Sequence, residues 1–218
     1  MTLTIEAIYT LHLLNEFSDD LVFLPLPIEE GETRKEALKR ALLKGMEDLH
    51  QVGLLEDNVP TEECVELGCF LKQYHETDYH CRLDSSHCLA PQVDSYKNMS
   101  IMILEAEDGL YEIHREMTLF ILGGIISSHK LLQKMEEHMK DYLHSSWEPE
   151  SFLRIKILEA DSPALRIESL LLDSYVQDFV FYERDNHYYQ FDMEREQERS
   201  IDFEELQSLL LEMMKVRV

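Results

Sequence analysis

Residues 99–114, MSIMILEAEDGLYEIH, decide the fold of this chain. An apolar run, Met99–Ala106, and a second one, Leu110–His114, lie on either side of Glu107-Asp108-Gly109. An Asp-Gly pair between two apolar runs is typical of a tight β-hairpin, because both residues tolerate the left-handed backbone that such turns require. The segment therefore predicts two antiparallel strands.

Other parts of the chain carry further strand signals. A second hairpin is predicted from Val176–Tyr182 and His187–Phe191, with a turn at Arg184-Asp185-Asn186. Apolar and polar residues alternate over residues 79–83, YHCRL, as they do in a half-buried strand. Residues 118–122 fit either a buried strand or the start of a helix.

The clearest helix signal follows an extended, proline-containing segment. Thr33 and Glu36 form a capping box, in which each residue satisfies an orphan amide of the other, and Gly53 lies where a helix C-cap belongs. Between them, apolar residues at helical spacing predict one buried face, formed by Ala37, Leu38, Ala41, Leu42, Leu49 and Val52. Leu42 is therefore expected to lie in the core.

Four more helices are predicted along the chain. Residues 4–17 begin with a capping residue, Thr4, and residues 60–74 begin with an acidic first turn, which the helix dipole favours. Residues 128–143 also have helical spacing. A second capping box, Asp202–Glu205, starts a final helix whose core-facing residues are Leu206, Leu209, Leu210 and Met213.

This order of elements predicts a mixed α+β fold with a central, mostly antiparallel sheet and flanking helices. We expect one α+β domain over residues 1–218. A hairpin followed by a long helix occurs in both halves, so the finer alternative is a pair of quasi-symmetric lobes, 1–145 and 146–218. Residues 144–150 are the best linker candidate, and residues 152–173 fit either strand or helix.

Charge restricts the partners that the chain can bind. The sequence has 20 Lys plus Arg against 44 Asp plus Glu, a formal net charge of −24 over 218 residues. Nucleic-acid phosphates and anionic lipids are bound through basic fields, so we expect no nucleic-acid binding and no membrane binding. The helix predicted over residues 61–74 has three glutamates and one lysine, which excludes a DNA-recognition helix. The expected partners are neutral or basic proteins.

Hydropathy and cysteine usage predict a cytoplasmic protein. No apolar run reaches the roughly 18 residues of a membrane span, and the longest one, Leu119–Ile126, contains two glycines. Residues 1–20 lack a basic start followed by an apolar block, so no secretory signal is expected. Free thiols are therefore expected at all four cysteines, namely Cys64, Cys69, Cys81 and Cys88.

One cluster in the sequence combines side chains that ligate metals, namely His75, His80, Cys81, His87 and Cys88. Zinc sites usually present their ligands as Cys-x2-Cys or His-x3-His pairs, and neither spacing occurs here. Adjacent strand residues point to opposite faces, so at most one member of each His-Cys doublet can reach a common site. We expect no zinc and no other cofactor, with the cysteines facing inward and the histidines facing water.

Sequence motifs for catalysis are absent. The chain has no Gly-x-Ser-x-Gly elbow, no glycine-rich phosphate loop and no His-Glu-x-x-His pair, and its 7 glycines do not cluster. The many carboxylates are most simply a solvated surface. The sequence therefore predicts a non-enzymatic protein, and an enzyme with an unfamiliar carboxylate site is the weaker alternative.

Two segments resemble a known family. Residues 42–71, LLKGMEDLHQVGLLEDNVPTEECVELGCFL, place a helix ending in Leu-x-x-x-Gly-Leu-Leu before an acidic turn and a further helix. The opening, LTIEAIYTL at residues 3–11, is followed by Phe-Leu-Pro-Leu at residues 23–26. Both features resemble the type VII secretion accessory chaperones of the EspG and EsaE kind. The resemblance implies a cytosolic, non-enzymatic protein that binds a helical secretion substrate and keeps it export-ready, built on a quasi-two-fold α+β fold.

Two binding functions remain open at this point. A chaperone or adaptor for a helical substrate predicts an exposed apolar patch, whereas an acidic immunity protein that neutralises a basic toxin predicts a concentrated acidic face. Side chains beside the two hairpin turns are candidates for partner binding, and sheet core is the alternative interpretation for them. These candidates are Leu110, Tyr111, Tyr188 and Tyr189.

Overall fold

The computed structural model describes residues 1–94, 96–107, 109–132, 164–172 and 174–216. The predicted linker lies outside these residues, as does most of the helix predicted immediately before it. Within the segment 152–173, which fitted either strand or helix, Ala164–Leu171 form a strand.

Nine strands form one sheet in the order β1-β7-β6-β5-β4-β8-β9-β10-β11, and every described pairing in it is antiparallel. Two short strands pair separately. This arrangement, with helices packed on the sheet, confirms the predicted α+β class. The strand bounds are β1 Leu3–Thr4, β2 Leu55–Glu56, β3 Val59–Pro60, β4 Tyr79–Leu83, β5 His87–Asp94, β6 Met99–Glu107, β7 Leu110–Met117, β8 Ala164–Leu171, β9 Ser174–Arg184, β10 His187–Asp192 and β11 Gln197–Ser200.

The helices begin where the capping residues predict. Thr4, Thr33, Thr61 and Asp202 each accept a backbone N–H of the first turn, and the two predicted capping boxes are both formed. The segment that fitted either strand or helix at residues 118–122 is helical. The helix bounds are α1 Ile5–Leu14, α2 Arg34–Gln51, α3 Glu62–His75, α4 Thr118–Ser128 and α5 Phe203–Met213.

The sheet is covered on both faces by separate cores. Cys88, Ile101 and Ile103 pack with residues of α1, α2 and α3, whereas Cys81 and Leu89 pack with residues of α4 and α5. Because both faces are covered, β4 does not alternate between buried and exposed residues as its sequence pattern predicted.

Small residues bring α1 and α2 into close contact. Ala37, Ala41 and Gly45 are buried on one face of α2, and a Cβ atom at Gly45 would lie 2.2 Å from the Glu6 carbonyl oxygen and from the Thr10 hydroxyl. Only glycine therefore fits this crossing of the two helices.

The predicted buried stripe of α2 is narrower than its spacing suggested. Leu49 is fully buried, but Leu42 is 38% exposed and Val52 is 37% exposed. The prediction that Leu42 lies in the core is therefore wrong. Small residues at the helix crossing take the buried positions instead, so the larger Leu42 lies at the margin of the contact.

Backbone geometry at the second hairpin confirms its turn. Asp185 and Asn186 both have positive φ angles, 52° and 61°, between the paired residues Arg184 and His187. Two consecutive left-handed residues are the geometry of a two-residue hairpin loop. The pair Asp-Asn adopts it without glycine because both side chains are short and polar.

A buried ion pair joins the two middle strands of the sheet. Arg82 on β4 lies opposite Glu168 on β8, and the Arg82 Nη2 atom is 2.6 Å from Glu168 Oε2. The Glu168 side chain is buried, a second cation, Arg166, is 3.3 Å away, and the Arg82 guanidinium lies 4.8 Å from the centre of the Phe23 ring. The carboxylate therefore has charged partners on both sides.

Candidate functional site

The structure buries two of the four side chains proposed to bind a partner. Tyr188 and Tyr189 are 4% and 5% exposed; Tyr188 packs in the core under α5, and Tyr189 stacks on Tyr182. Leu110 and Tyr111 are half-buried because β1 pairs with them at the edge of the sheet. In this conformation the tyrosines of β10 have little surface to offer a partner.

The metal-ligand cluster in the sequence is dispersed by the fold. Cys81 and Cys88 lie in the cores on opposite faces of the sheet. His80 is buried, and its Nε2–H donates to the Tyr74 carbonyl oxygen at 2.7 Å, so the expectation that it faces water is wrong. The reason is again the cover on both faces of β4. His87 is half-buried and bonds to the neighbouring Ser86 hydroxyl instead.

A different group of ligands comes together where α1 and α3 end. His12, Asp19 and His75 each offer one ligand atom, and these three atoms lie within 4.8 Å of one another. The Nε2 atom of His12 is 3.8 Å from Asp19 Oδ1, and the Nε2 atom of His75 is 3.7 Å from Asp19 Oδ2. We call these residues the His-Asp-His cluster. The Phe17 ring stacks on the His12 imidazole and packs at a tilt of 46° against the His75 imidazole.

The electrostatics of this cluster keep one imidazole neutral. His12 is completely buried, and burial together with the nearby His75 ring lowers the pKa of His12 from 6.5 to about 4. Its Nε2–H donates to the Asp19 carbonyl oxygen at 3.2 Å, since a carbonyl can only accept. The Nδ1 atom has no hydrogen-bond partner among the residues that the structure describes.

An open cavity of ≈ 210 Å³ adjoins the cluster. Asp19 and His75 line it together with Asp20, Glu76 and Asp78, and no lysine or arginine is among its described lining residues. Asp20 is already committed, because it accepts hydrogen bonds from the Tyr9 hydroxyl and from Arg34. The cavity therefore gives water and cations access to the exposed Asp19 and to His75.

A larger concave surface than this cavity lies on the other side of the sheet. It is a groove of ≈ 1010 Å³ between the loop that follows β5, the start of α4 and the end of α5. Its apolar lining residues are Tyr96, Met117, Leu119 and Val216, and we call it the α4 groove. Tyr96 is fully exposed, and Leu119 is 53% exposed.

A second hollow extends the apolar surface along α4. It is lined by Phe120, Ile121 and Ile125 among others, and the Phe120 side chain is 68% exposed. Glu116 lines this hollow, and Glu212 and Lys215 line the α4 groove, so two exposed carboxylates and one exposed ammonium group lie beside the apolar surface. The arrangement fits an elongated apolar ligand with positive charges near its apolar side.

Polar contacts fix the floor of the α4 groove. Gln92 has a positive φ of 58° in an irregular part of β5, where the pairing register with β6 shifts. Its backbone N–H donates to Ser100 Oγ at 3.0 Å, and its side-chain amide donates to Thr118 Oγ1 at 3.1 Å. Thr118 in turn donates to the Asn98 carbonyl oxygen. A β-bulge thus holds the first residue of α4 and leaves Leu119 and Phe120 facing outward.

Another group of exposed apolar residues lies at the β8–β9 turn. These residues are Leu171, Leu172, Tyr175 and Val176, with exposed fractions from 44% to 68%. None of them lines the α4 groove. They form a second exposed apolar patch, and their side chains are exposed to about the same extent as those of Leu119 and Phe120 on α4.

The sequence alone predicted neither the His-Asp-His cluster nor the α4 groove. The groove residues are far apart in the chain, and Leu119 and Phe120 belong to an apolar run that is typical of core. His12 and His75 carry no recognisable spacing relative to each other or to Asp19. Only the exposure of a full aromatic ring at Phe120 distinguishes it from a core residue, and exposure depends on the tertiary structure.

Comparison with known proteins adds no relative to this picture. No protein-family model matches the chain, and a search of curated proteins finds no match. None of the helices that the structure describes is long and apolar enough to cross a membrane.

Proposed function

We propose that this chain is a non-enzymatic, cytoplasmic protein-binding module that holds an amphipathic helix of a partner protein on its α4 surface. The observation that carries the proposal is the apolar α4 groove together with the exposed Phe120 beside it. Within this proposal the partner is a secretion substrate of a type VII system, in agreement with the resemblance of residues 3–26 and 42–71.

Exposed apolar surface of this kind is unfavourable in free energy until a partner covers it. Patches of several exposed apolar side chains on one surface commonly mark sites of protein interaction. Amphipathic helices bind by laying apolar residues at positions i, i+3, i+4 and i+7 into a groove. Leu119 and Phe120 lie on one turn of α4 beside two hollows, so a helix lying along α4 would contact both side chains.

Charge selects among such helices. The net charge of −24 and the carboxylates of Glu116 and Glu212 beside the groove favour a helix whose apolar stripe is flanked by Lys or Arg. An acidic helix of equal hydrophobicity would be repelled. The expected partner is therefore both helical and locally basic.

The polar groups of the α4 groove support binding rather than catalysis. Gln92 and Thr118 are occupied in bonds that hold α4 in place. Burial lowers the pKa of Lys215, and its ammonium nitrogen lies 4.1 Å from the centre of the Tyr79 ring.

The cysteines of the sheet are far from being thiolates, because burial raises the pKa of Cys88 to about 12 and that of Cys81 still further.

The total charge also favours a second function, neutralisation of a basic toxin by an acidic immunity protein. In that case carboxylates would carry the interface, and binding would weaken steeply with salt. The two functions therefore differ in a measurable way, because an apolar interface is insensitive to screening.

Binding by a double variant tests the proposal. The wild-type chain, Leu119→Ser/Phe120→Ser, and Leu172→Ser/Tyr175→Ser are each used to capture the partner from the native host, and the partner is then purified. The second variant is the matched control, because it removes equally exposed apolar side chains from the β8–β9 turn. Affinity is measured by calorimetry at physiological salt and at about 1 M salt, where the screening length falls to about 3 Å.

We expect the α4 variant to lose at least 2 kcal/mol of binding free energy, the loss typical of a hot spot, which is about a 30-fold weaker Kd. The control should bind as the wild type does, and high salt should weaken wild-type binding by less than about tenfold. Equal binding by both variants would remove the α4 surface from the proposal. Dissociation at high salt would support the immunity function.

A further inference from the structure

We propose that the His-Asp-His cluster is an exchangeable site for a divalent transition metal of the zinc class, with His12, His75 and Asp19 as ligands. The inference revises the expectation from the sequence, which found no metal site because it considered His75 only with its neighbours in sequence. It is independent of the proposed protein-binding function, since the cluster lies on the opposite face of the sheet from α4.

The ligand set is the first support. Two imidazoles and one carboxylate suit borderline divalent metals such as zinc, cobalt and nickel. Two ligand atoms that are both bound to zinc at about 2.1 Å in tetrahedral geometry lie about 3.4 Å apart. The two His–Asp separations, 3.8 Å and 3.7 Å to different oxygens of the Asp19 carboxylate, exceed this value by a few tenths of an ångström. The three ligand atoms lie within 4.8 Å of one another, so an ion would have to draw them closer together.

The three ligands differ in burial, so one can stay fixed while another moves to bind an ion. His12 is fixed within the core on α1, and His75 is on the last turn of α3 with its side chain 18% exposed. Asp19 lies on the loop after α1 with its side chain 67% exposed, and each imidazole faces one oxygen of its carboxylate. The carboxylate is therefore free to move toward the two imidazoles and close the site around an ion.

The surroundings favour a cation with open coordination positions. The adjoining cavity is lined by Glu76 and Asp78 as well as by Asp19, without a lysine or arginine among its described lining residues. The nearby cation Arg34 is paired with Asp20 and bonds to the Ser18 carbonyl oxygen. The lining carboxylates create a negative potential where the ion would enter, and the cavity has room for water ligands. The half-buried Phe17 ring packs against both imidazoles.

The hydrogen bonds of His12 predict a moderate affinity. Coordination through Nε2 moves the ring proton to Nδ1 and breaks the bond from Nε2–H to the Asp19 carbonyl oxygen. Metal-binding histidines usually donate the other N–H to an acceptor, but Nδ1 of His12 has none among the described residues. We therefore expect micromolar binding and ready exchange rather than the tight binding of a structural zinc site.

Titration of the chelator-treated full chain with Zn²⁺ and with Co²⁺ tests the proposal. Asp19→Asn and His75→Gln remove one ligand each from partly exposed positions, so both variants should fold as the wild type does by circular dichroism. His114→Gln is the matched control, because His114 forms a comparable surface pair with Glu112 at 2.9 Å that has no third ligand among the residues that the structure describes. Binding is followed by calorimetry, by the visible absorption of Co²⁺ and by the Zn²⁺-dependent rise in Tm.

The wild type and His114→Gln should each bind one equivalent of Zn²⁺ at micromolar concentration, with intense Co²⁺ bands. Asp19→Asn and His75→Gln should each weaken binding by about 10- to 100-fold or more, since replacing an outer-shell partner alone has an effect of that size. The rise in Tm should disappear in both variants. Absence of saturable binding in the wild type would overturn the proposal, as would one-equivalent binding that both ligand variants leave unchanged.

Discussion

At the scale of single residues, a glycine permits the close approach of α1 and α2. Gly45 lies against the Glu6 carbonyl and Thr10, where no side chain fits. Gly68 on α3 offers a contrast, because the nearest heavy atom to a Cβ placed there is Asn15 Nδ2 at an ordinary 3.7 Å. The two helical glycines should therefore respond oppositely to alanine.

We predict that Gly45→Ala destabilises the fold by about 1–3 kcal/mol, the usual cost of overpacking, despite the better helix propensity of alanine. Gly68→Ala should stabilise the fold by up to about 1 kcal/mol. Urea unfolding of both variants measures the difference. If Gly45→Ala were as stable as Gly68→Ala, α1 and α2 would not be in the close contact described here.

The ion pair between Arg82 and Glu168 is a second residue-scale feature with a measurable consequence. Arg82→Met leaves the buried Glu168 carboxylate with Arg166 alone, so we predict a loss of about 3 kcal/mol. The double variant Arg82→Met/Glu168→Leu removes both charges and should recover most of that loss, because a packed apolar pair replaces the ions at little cost. A double variant that is less stable than the single one would mean that the pair itself stabilises the sheet.

At the scale of elements, α2 shows how far a periodic pattern predicts burial. Its capping box and its terminating glycine were identified correctly, because both depend on residues three or fewer positions apart. Which leucines are buried depends on the helix that packs against them. Leu49 and Leu42 therefore differ, although both belong to the same predicted stripe.

We predict that Leu49→Ala costs about 2–5 kcal/mol of unfolding free energy, as expected for a fully buried leucine. Leu42→Ala should change the stability by less than about 1 kcal/mol, since the side chain is at the exposed margin of α2. Chemical denaturation of the two variants in parallel provides the measurement. Similar losses in both would restore the wider buried face that the sequence suggested.

The strands show the same division between local and tertiary information. Hairpin turns such as Asp185-Asn186 could be predicted because the turn geometry is encoded in adjacent residues. The burial of His80 and of Tyr188 could not, because it depends on helices packing over both faces of the sheet. For the same reason the candidate sites, which combine residues from distant elements, were not identified from sequence.

At the scale of the whole molecule, four-stranded meanders occur twice in the sheet. Strands β4 to β7 are followed by α4, and strands β8 to β11 are followed by α5. The first strands of the two meanders, β4 and β8, pair with each other in the middle of the sheet. The first meander contains the hairpin predicted at residues 99–114, and the second contains the hairpin predicted at residues 176–191. The helix predicted over residues 128–143, which the sequence paired with the first hairpin, lies mostly outside the described residues. The sheet and the core under α5 continue across both halves.

The charge of the molecule and its apolar groove are compatible features of one binding surface. Surface carboxylates keep a protein with exposed apolar side chains from associating with copies of itself, since all copies repel one another. In the proposed function, the same carboxylates would attract a basic partner to the surface on which Leu119 and Phe120 lie. The proposed function therefore uses the whole-chain charge for selection and the groove for affinity.

Hydrogen–deuterium exchange with and without the purified partner tests this account most directly, because it locates the interface on the unmodified chain. Binding at the α4 groove should slow exchange at backbone amides of residues 117–128 and at the end of α5. Amides of the β8–β9 turn and of α2 should exchange as they do in the free chain. Protection confined to the β8–β9 turn or to the exposed acidic face of α3, with α4 unchanged, would contradict the account.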